Sequence, residues 1–207
     1  KMKDQLIAVA SHELRTPASN TQNYLWMVQT KPDPQTILAL KDKERLEKAM
    51  IGIKTLIKLI NDILDVSKLE GGKMEVNLGP VNYGEIIKNV VDELIPRAQN
   101  KGLSLSLSSA NDLPQAVLAD SVKLREVLAN LIINAIKYTE HGGIITGVYQ
   151  KDRQVIFYVK DTGKGIAMEN IPKLFTKFYR EDTSLSSSNP ETGGTGLGLY
   201  ITKLILT

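Results

Sequence analysis

Six apolar residues, Leu46, Met50, Ile53, Ile57, Ile60 and Leu64, follow one another at alternating steps of four and three. Only an α-helix places such a set on one face, and the period is that of helices packed at shallow angles along a seam. Ala49, Leu56 and Ile63 add a parallel stripe that widens the face. Upstream, Ile7, Ala10, Leu14, Pro17, Thr21, Tyr24 and Val28 keep the same alternation. Between the two patterns stands Lys31-Pro32-Asp33-Pro34, and its prolines cannot continue a helix. Residues from about Met2 to Leu69 therefore read as a helical hairpin. One hairpin buries too little of so wide a stripe, whereas two paired as a four-helix bundle bury both. The expectation is a homodimer. The competing reading packs the stripe on the rest of the chain.

The pattern changes after Gly71-Gly72, a glycine pair of the kind that ends helices. This divides the chain into 1–71 and 72–207, and 207 residues are enough for two domains with their own cores. Met74 to Leu78 reads as a strand, and Tyr83 to Asn100 as a helix. Leu103 to Leu107 alternates leucine with serine, the mark of a half-buried strand. A short apolar stretch, Ala116 to Ala119, precedes a helix from Ser121 to Tyr138 capped by Asp120 or Ser121. Ile144 to Tyr149 and Val155 to Lys160 form a hairpin around Lys151-Asp152-Arg153. Helices in blocks around a mostly antiparallel sheet make an α+β layer. Ser184 to Asn189 is low in apolar residues and reads as a mobile loop.

Composition narrows the chemistry. The chain has no cysteine, which removes disulfides, thiolate catalysis and cysteine-rich zinc sites. Its net charge of +3 is small for 207 residues and argues against nucleic acid as a partner. No apolar run reaches the ~20 residues that cross a bilayer, and no signal peptide opens the chain. The fragment is expected to be soluble and cytoplasmic, although a parent protein can carry a membrane segment upstream.

Of the two histidines, His141 stands in His141-Gly142-Gly143 and reads as a turn residue. His12 lies in Ser11-His12-Glu13-Leu14-Arg15-Thr16-Pro17. With Ile7 and Leu14 on the seam, His12 falls on the opposite side of the helix and faces water. A plain surface histidine is the competing reading. Thr16 is one turn on, on the same face. Pro17 donates no backbone hydrogen bond, which frees the Glu13 carbonyl and should bend the helix. A neutral imidazole is a good nucleophile near pH 7. A carboxylate holding one ring nitrogen would fix the tautomer and free the other nitrogen to attack.

A second constellation begins with Asn130, Asn134 and Lys137, spaced four and three apart on one helix face. Buried amides are costly unless bonded, so the row suits a ligand. Amide oxygens match magnesium and the lysine a phosphate. A solvated polar stripe is the alternative. Asp161-Thr162-Gly163-Lys164-Gly165-Ile166 follows a strand. Its glycines allow close backbone approach, and its aspartate can accept from an adenine amino group. Thr192 to Leu199 holds four glycines in six residues ahead of an apolar helical run. Free amides at a helix start favour phosphate. No Gly-Lys-Ser/Thr follows, so this is not a P-loop. The aromatics of Leu174 to Tyr179 read as packing residues, and Arg180 can reach a terminal phosphate.

With these motifs in this order, the chain resembles the kinase core of a two-component sensor histidine kinase over nearly its whole length. The resemblance implies a dimerising phosphoacceptor hairpin, an all-α four-helix bundle in the dimer. An α+β sandwich ATP-binding domain of the gyrase, Hsp90 and histidine kinase type follows it. It implies His12 as phosphoacceptor, Glu13 as its base, and Thr16 as the residue that positions water when a partner is dephosphorylated. It implies ATP and Mg2+ as ligands. Asn130, Asn134, Lys137 and Tyr138 fall on the asparagine box, with Asn134 as metal ligand and Tyr138 against adenine. Asp161, Gly163, Gly165 and Ile166 fall on the adenine box, and Phe175, Phe178 and Arg180 on the phenylalanine box. Gly194, Thr195, Gly196, Leu197 and Gly198 fall on the phosphate-lid box. The implied partner is the receiver domain of a response regulator. Ala18 and Glu126 depart from the family's usual leucine and glutamine. Relatives usually continue past the last helix with further strands, so the second domain reads as cut short, with an exposed sheet edge. A catalytically silent, nucleotide-binding dimerisation scaffold is the alternative. A gyrase-like or chaperone-like ATPase fits the second domain alone and leaves the histidine helix unexplained.

Overall fold

A computed structural model describes residues 2–29, 40–72, 74–108, 116–152, 154–180 and 195–207. The turn expected at Lys31 to Pro34, Arg153 of the second hairpin turn, and the loop from Ser184 to Asn189 lie outside these residues. Contacts divide the chain into two units. One comprises Lys1–Gly71 with Lys177–Gly198, the other Gly72–Thr176 with Leu199–Thr207. The segment Lys177–Gly198 thus groups with the hairpin, although the sequence pattern assigns it to 72–207.

The first unit is built on α1 (Met2–Gln29) and α2 (Leu40–Glu70). Pro17 stays inside α1. Inside the hairpin α2 presents Ala49, Leu59 and Val66, all buried. At Gly52 the helices approach so closely that a Cβ would strike the Thr21 hydroxyl. The long stripe lies elsewhere: Met50, Ile53, Ile57, Ile60 and Leu64 are exposed. Of the second stripe Ala49 is buried in the hairpin and Leu56 and Ile63 are half-buried, so the two stripes differ in how far they turn toward α1.

The second unit places helices against strands. Strand β1 (Gly79–Val81) pairs antiparallel with β3 (Val117–Ala119). A separate sheet has the order β2 (Ser104–Leu107), β4 (Gly143–Lys151), β5 (Gln154–Asp161). In it β2 runs parallel to β4, with Leu105 opposite Ile144, and β5 runs antiparallel, with Ile144 opposite Asp161. A 3-10 turn spans Met168–Lys173, and α5 covers Gly198–Leu206.

The expected strand at Met74 to Leu78 is not formed; the pairing begins at Gly79 instead. Its amides find other acceptors. Leu78 N–H closes on the Val76 carbonyl at 3.2 Å, and Asn77 N–H donates to the Asp120 carboxylate at 3.0 Å.

Helices α3 (Tyr83–Asn100) and α4 (Ser121–Tyr138) supply most of the core. Ile87, Val90, Val91, Leu94 and Ala98 recur at helical spacing on α3 and meet Leu128, Ile132, Ala135 and Ile136 of α4, with Ile144 and Val148 from the sheet. Full burial of a side chain such as Ile132 contributes about 1.5–3 kcal/mol. Asp120 caps α4, its Oδ1 accepting from the backbone N–H of Val122 and Lys123. The N–H groups of Lys123 and Asn77 hold its carboxyl below the usual carboxylate range. This cap orients the helix that carries the polar row.

Candidate active site

The phosphoacceptor candidate lies on α1. His12 and Glu13 are within the helix, and their side chains lie outside the described residues, so the expected outward-facing ring rests on the sequence pattern. Thr16, one turn further, is exposed.

In the second unit, α4 divides its residues by face. Ile132, Ala135 and Ile136 are buried, while Asn130, Asn134 and Lys137 are half-buried along the other side. Lys137 Nζ lies 4.7 Å from the centroid of the Tyr138 ring, within reach of cation–π attraction. Tyr138 remains 43% exposed. Lys101 closes the helix end, its Nζ donating to the carbonyls of Ile136 at 2.8 Å and Lys137 at 2.7 Å. A cation there also complements the negative end of the helix dipole.

Asp161 ends β5, and its Oδ1 accepts the Gly163 N–H at 2.9 Å. The turn that follows runs directly against the end of α4. A Cβ on Gly163 would come within 2.6 Å of the Tyr138 carbonyl oxygen. Glycine at 163 therefore brings Asp161 beside Tyr138. Thr162 fastens the same turn to the next loop: its hydroxyl donates to the His141 carbonyl at 2.8 Å and accepts from Gly143 N–H at 3.1 Å. His141 is thus in a bend, as its glycine neighbours suggest. Gly165 takes a φ of +71° with open space where a side chain would stand, and Ile166 is exposed. Phe175 is also exposed, contrary to the packing role expected of it.

The set fits a magnesium nucleotide by its donor chemistry. A carboxylate can accept from an adenine amino group, amide oxygens suit a hard cation, and Lys137 suits phosphate.

The phosphate-lid residues are only partly described; Gly194 lies outside. In the first unit Phe178 N–H donates to the Gly196 carbonyl at 3.0 Å. Thr195 donates its hydroxyl to Asp62 of α2 at 2.8 Å, both residues being buried, and Lys177 pairs with Glu70 at 2.5 Å. The sequence pattern suggests free amides at this helix start. Leu197 departs from that: it is fully buried and its N–H donates to the Thr195 hydroxyl at 3.2 Å. Gly198 is the first residue of α5, and Arg180 is half-buried.

Three residues of these clusters escape sequence reasoning: Thr162, Asp62 and Thr202. Thr202 of α5 accepts a hydrogen bond from Asn130 Nδ2 at 2.9 Å. Periodicity shows only that Thr202 follows Gly198 by one helical turn, and its partner is far away in sequence.

Residues 2–72 match the family model of the His Kinase A (phospho-acceptor) domain. Residues 119–207 match that of the histidine kinase-, DNA gyrase B-, and HSP90-like ATPase. The signal transduction histidine-protein kinase BarA of Escherichia coli K12 is 34% identical over 100% of this chain, which spans 22% of that relative. Among solved structures, full-length ShkA in complex with AMPPNP is similar at TM-score 0.68 and 29% identity, covering 98% of this chain and 40% of that one. The Acinetobacter baumannii histidine kinase AdeS is similar at TM-score 0.69 and 25% identity, covering 94% of this chain and 85% of that one. The chain belongs to the histidine kinase family, as a core that joins a phosphoacceptor helical hairpin to an ATPase-type α/β domain.

Proposed function

We propose that this chain is an ATP-dependent protein-histidine kinase that phosphorylates its own His12 and passes the phosphoryl group to an aspartate of a response-regulator receiver domain. The carrying observation is the presence in one chain of both family segments, 2–72 with His12 and 119–207 with the asparagine row. Residues 1–71 would act as the dimerisation and phosphotransfer domain, and 72–207 as the nucleotide-binding domain. The exposed stripe of Met50, Ile53, Ile57, Ile60 and Leu64 supports a homodimer.

Each residue then has a task. Asp161 orients the adenine through its amino group, and Tyr138 lies against the ring. Asn130 and Asn134 would hold Mg2+, with Asn134 as principal ligand, and Lys137 holds phosphate oxygens. Bound magnesium supplies charge neutralisation on the phosphates. The neutral His12 ring attacks the γ-phosphorus. The new N–P bond forms as the bond from phosphorus to the leaving ADP oxygen breaks, and Glu13 takes the proton released by the ring. Thr16, exposed one turn on, would orient water for removal of phosphate from the partner.

Incubation with γ-labelled ATP and Mg2+ tests the reading. The expected product is label on the chain that is lost in acid and stable in alkali. Absence of label, or label that withstands acid, would overturn it in favour of a nucleotide-binding scaffold.

A further inference from the structure

A primary amide has two ends of opposite character. Its oxygen accepts a cation and its nitrogen donates to an anion, yet the two are nearly equal in size. An asparagine on a ligand-binding face is useful only if something fixes which end points outward. On α4 that question arises at Asn130, which shares a face with Asn134 and Lys137.

Asn130 Nδ2 donates to Thr202 Oγ1 at 2.9 Å. Thr202 is 4% exposed, so the bond is screened from water on the α5 side. In this arrangement the nitrogen is the end bonded to α5, which leaves the oxygen as the end able to accept a cation from the half-buried row. Removing the hydroxyl would leave the amide nitrogen without its acceptor at a partly buried position, and the side chain would gain by turning over or leaving the site. Thr202 belongs to the helix that starts at Gly198, the last glycine of the cluster. The same bond therefore ties the amide's orientation to the seating of α5.

We propose that Thr202 is a positioning residue for the phosphoryl-transfer site: it sets the Asn130 amide with its oxygen outward, toward a divalent cation carried by the nucleotide. This rests on the kinase reading above and adds a residue to it. Thr202 touches neither nucleotide nor cation; it acts through Asn130.

The test compares Thr202→Val, which keeps the shape and removes the acceptor, with Thr202→Ser, which keeps the hydroxyl. Both are made in the full chain, and thermal unfolding confirms that each folds. Binding of a non-hydrolysable ATP analogue is measured with Mg2+ and with EDTA. The valine variant is expected to lose about tenfold in affinity with Mg2+, the size usual for groups that orient a ligand, and to match the unaltered chain in EDTA. The serine variant is expected to restore the Mg2+-dependent affinity. In nucleotide-free protein the Asn130 side-chain NH2 resonances, assigned by their loss in Asn130→Ala, should shift in the valine variant and keep their place in the serine variant. Equal Mg2+-dependent affinity for valine and unaltered chains, an equal loss in EDTA, or unmoved Asn130 resonances would each overturn the proposal while leaving the kinase reading intact. Failure of the unaltered chain to bind nucleotide would overturn both.

Discussion

The backbone N–H of Phe178 donates to the carbonyl of Gly196 at 3.0 Å, and both residues sit at positive φ, 59° and 68°. The segment of the phenylalanine-box match and that of the lid-box match are thereby joined backbone to backbone. Glycine adopts this conformation freely, whereas phenylalanine does so at a cost. A Cβ on Gly196 would stand 2.8 Å from the Cα and the carbonyl carbon of Phe178, and backbone atoms cannot swing aside as a side-chain tip can.

Gly196→Ala should therefore disturb this junction from two directions, steric and torsional. The torsional part alone costs about 1–2 kcal/mol, which corresponds to roughly a tenfold loss if it is paid on binding. Nucleotide affinity measured by isothermal titration is expected to fall by that order. A variant that binds as tightly as the unaltered chain would show that the Phe178–Gly196 junction does not support the nucleotide site.

Much of this arrangement is legible in sequence, and the illegible part has a physical cause. Local rules act over a few residues. The cap at Asp120, the helix from Ser121 to Tyr138 and the alternation of Ser104 to Leu107 all follow from them. Met74 to Leu78 misleads because strand formation depends on a partner: β3 offers only Val117–Ala119, and Asp120 takes the Asn77 amide instead. Likewise the glycine cluster suggests a row of free amides, but the Thr195 hydroxyl, itself held by Asp62, accepts the N–H of Leu197. Asp62 and Thr202 look like unremarkable polar helix residues, and only tertiary packing reveals what they hold. The polar row from Asn130 to Lys137 is visible at once; that the Asn130 amide is bonded to Thr202 is not.

Ile57 is 54% exposed although it lies mid-helix in a seam-forming stripe. Ile57→Lys should leave the helical content of the hairpin unchanged, because the side chain is more exposed than covered inside it. In a symmetric dimer each substitution acts twice, and full burial of an isoleucine is worth about 1.5–3 kcal/mol. Sedimentation equilibrium is expected to show the dimer weakened on the order of a hundredfold or more. An unchanged association constant would move the dimer interface off this stripe.

Tyr83 is 3% exposed, and its hydroxyl has no hydrogen-bond partner among the described residues. Burial pushes its pKa up to about 12. The folded state thus holds the phenolic proton more tightly than the unfolded chain, which releases it near the ordinary value of about 10. This contribution is complete below pH 10 and is lost as the pH climbs toward 12. Tyr83→Phe removes an unsatisfied buried group and should be neutral or stabilising at pH 8. Between pH 10 and 11 the gap in denaturation midpoint should widen further in favour of the phenylalanine variant. A gap that does not change with pH would place the hydroxyl in contact with water or a partner.

His12→Gln separates the two halves of the chemistry. Glutamine keeps a polar side chain of similar reach and suits a helix, so α1 should fold as before. What it lacks is a ring nitrogen able to attack phosphorus. Acid-labile phosphorylation is expected to vanish, while ATP affinity stays within about twofold, a change of ~0.4 kcal/mol, because every residue assigned to the nucleotide lies elsewhere in the chain. The measurement pairs phosphate labelling with nucleotide titration on the same preparation. Label that survives on the glutamine variant would remove His12 as acceptor. Lost nucleotide binding would instead make the histidine part of the nucleotide site, and the division of labour between hairpin and ATPase-type domain would have to be redrawn.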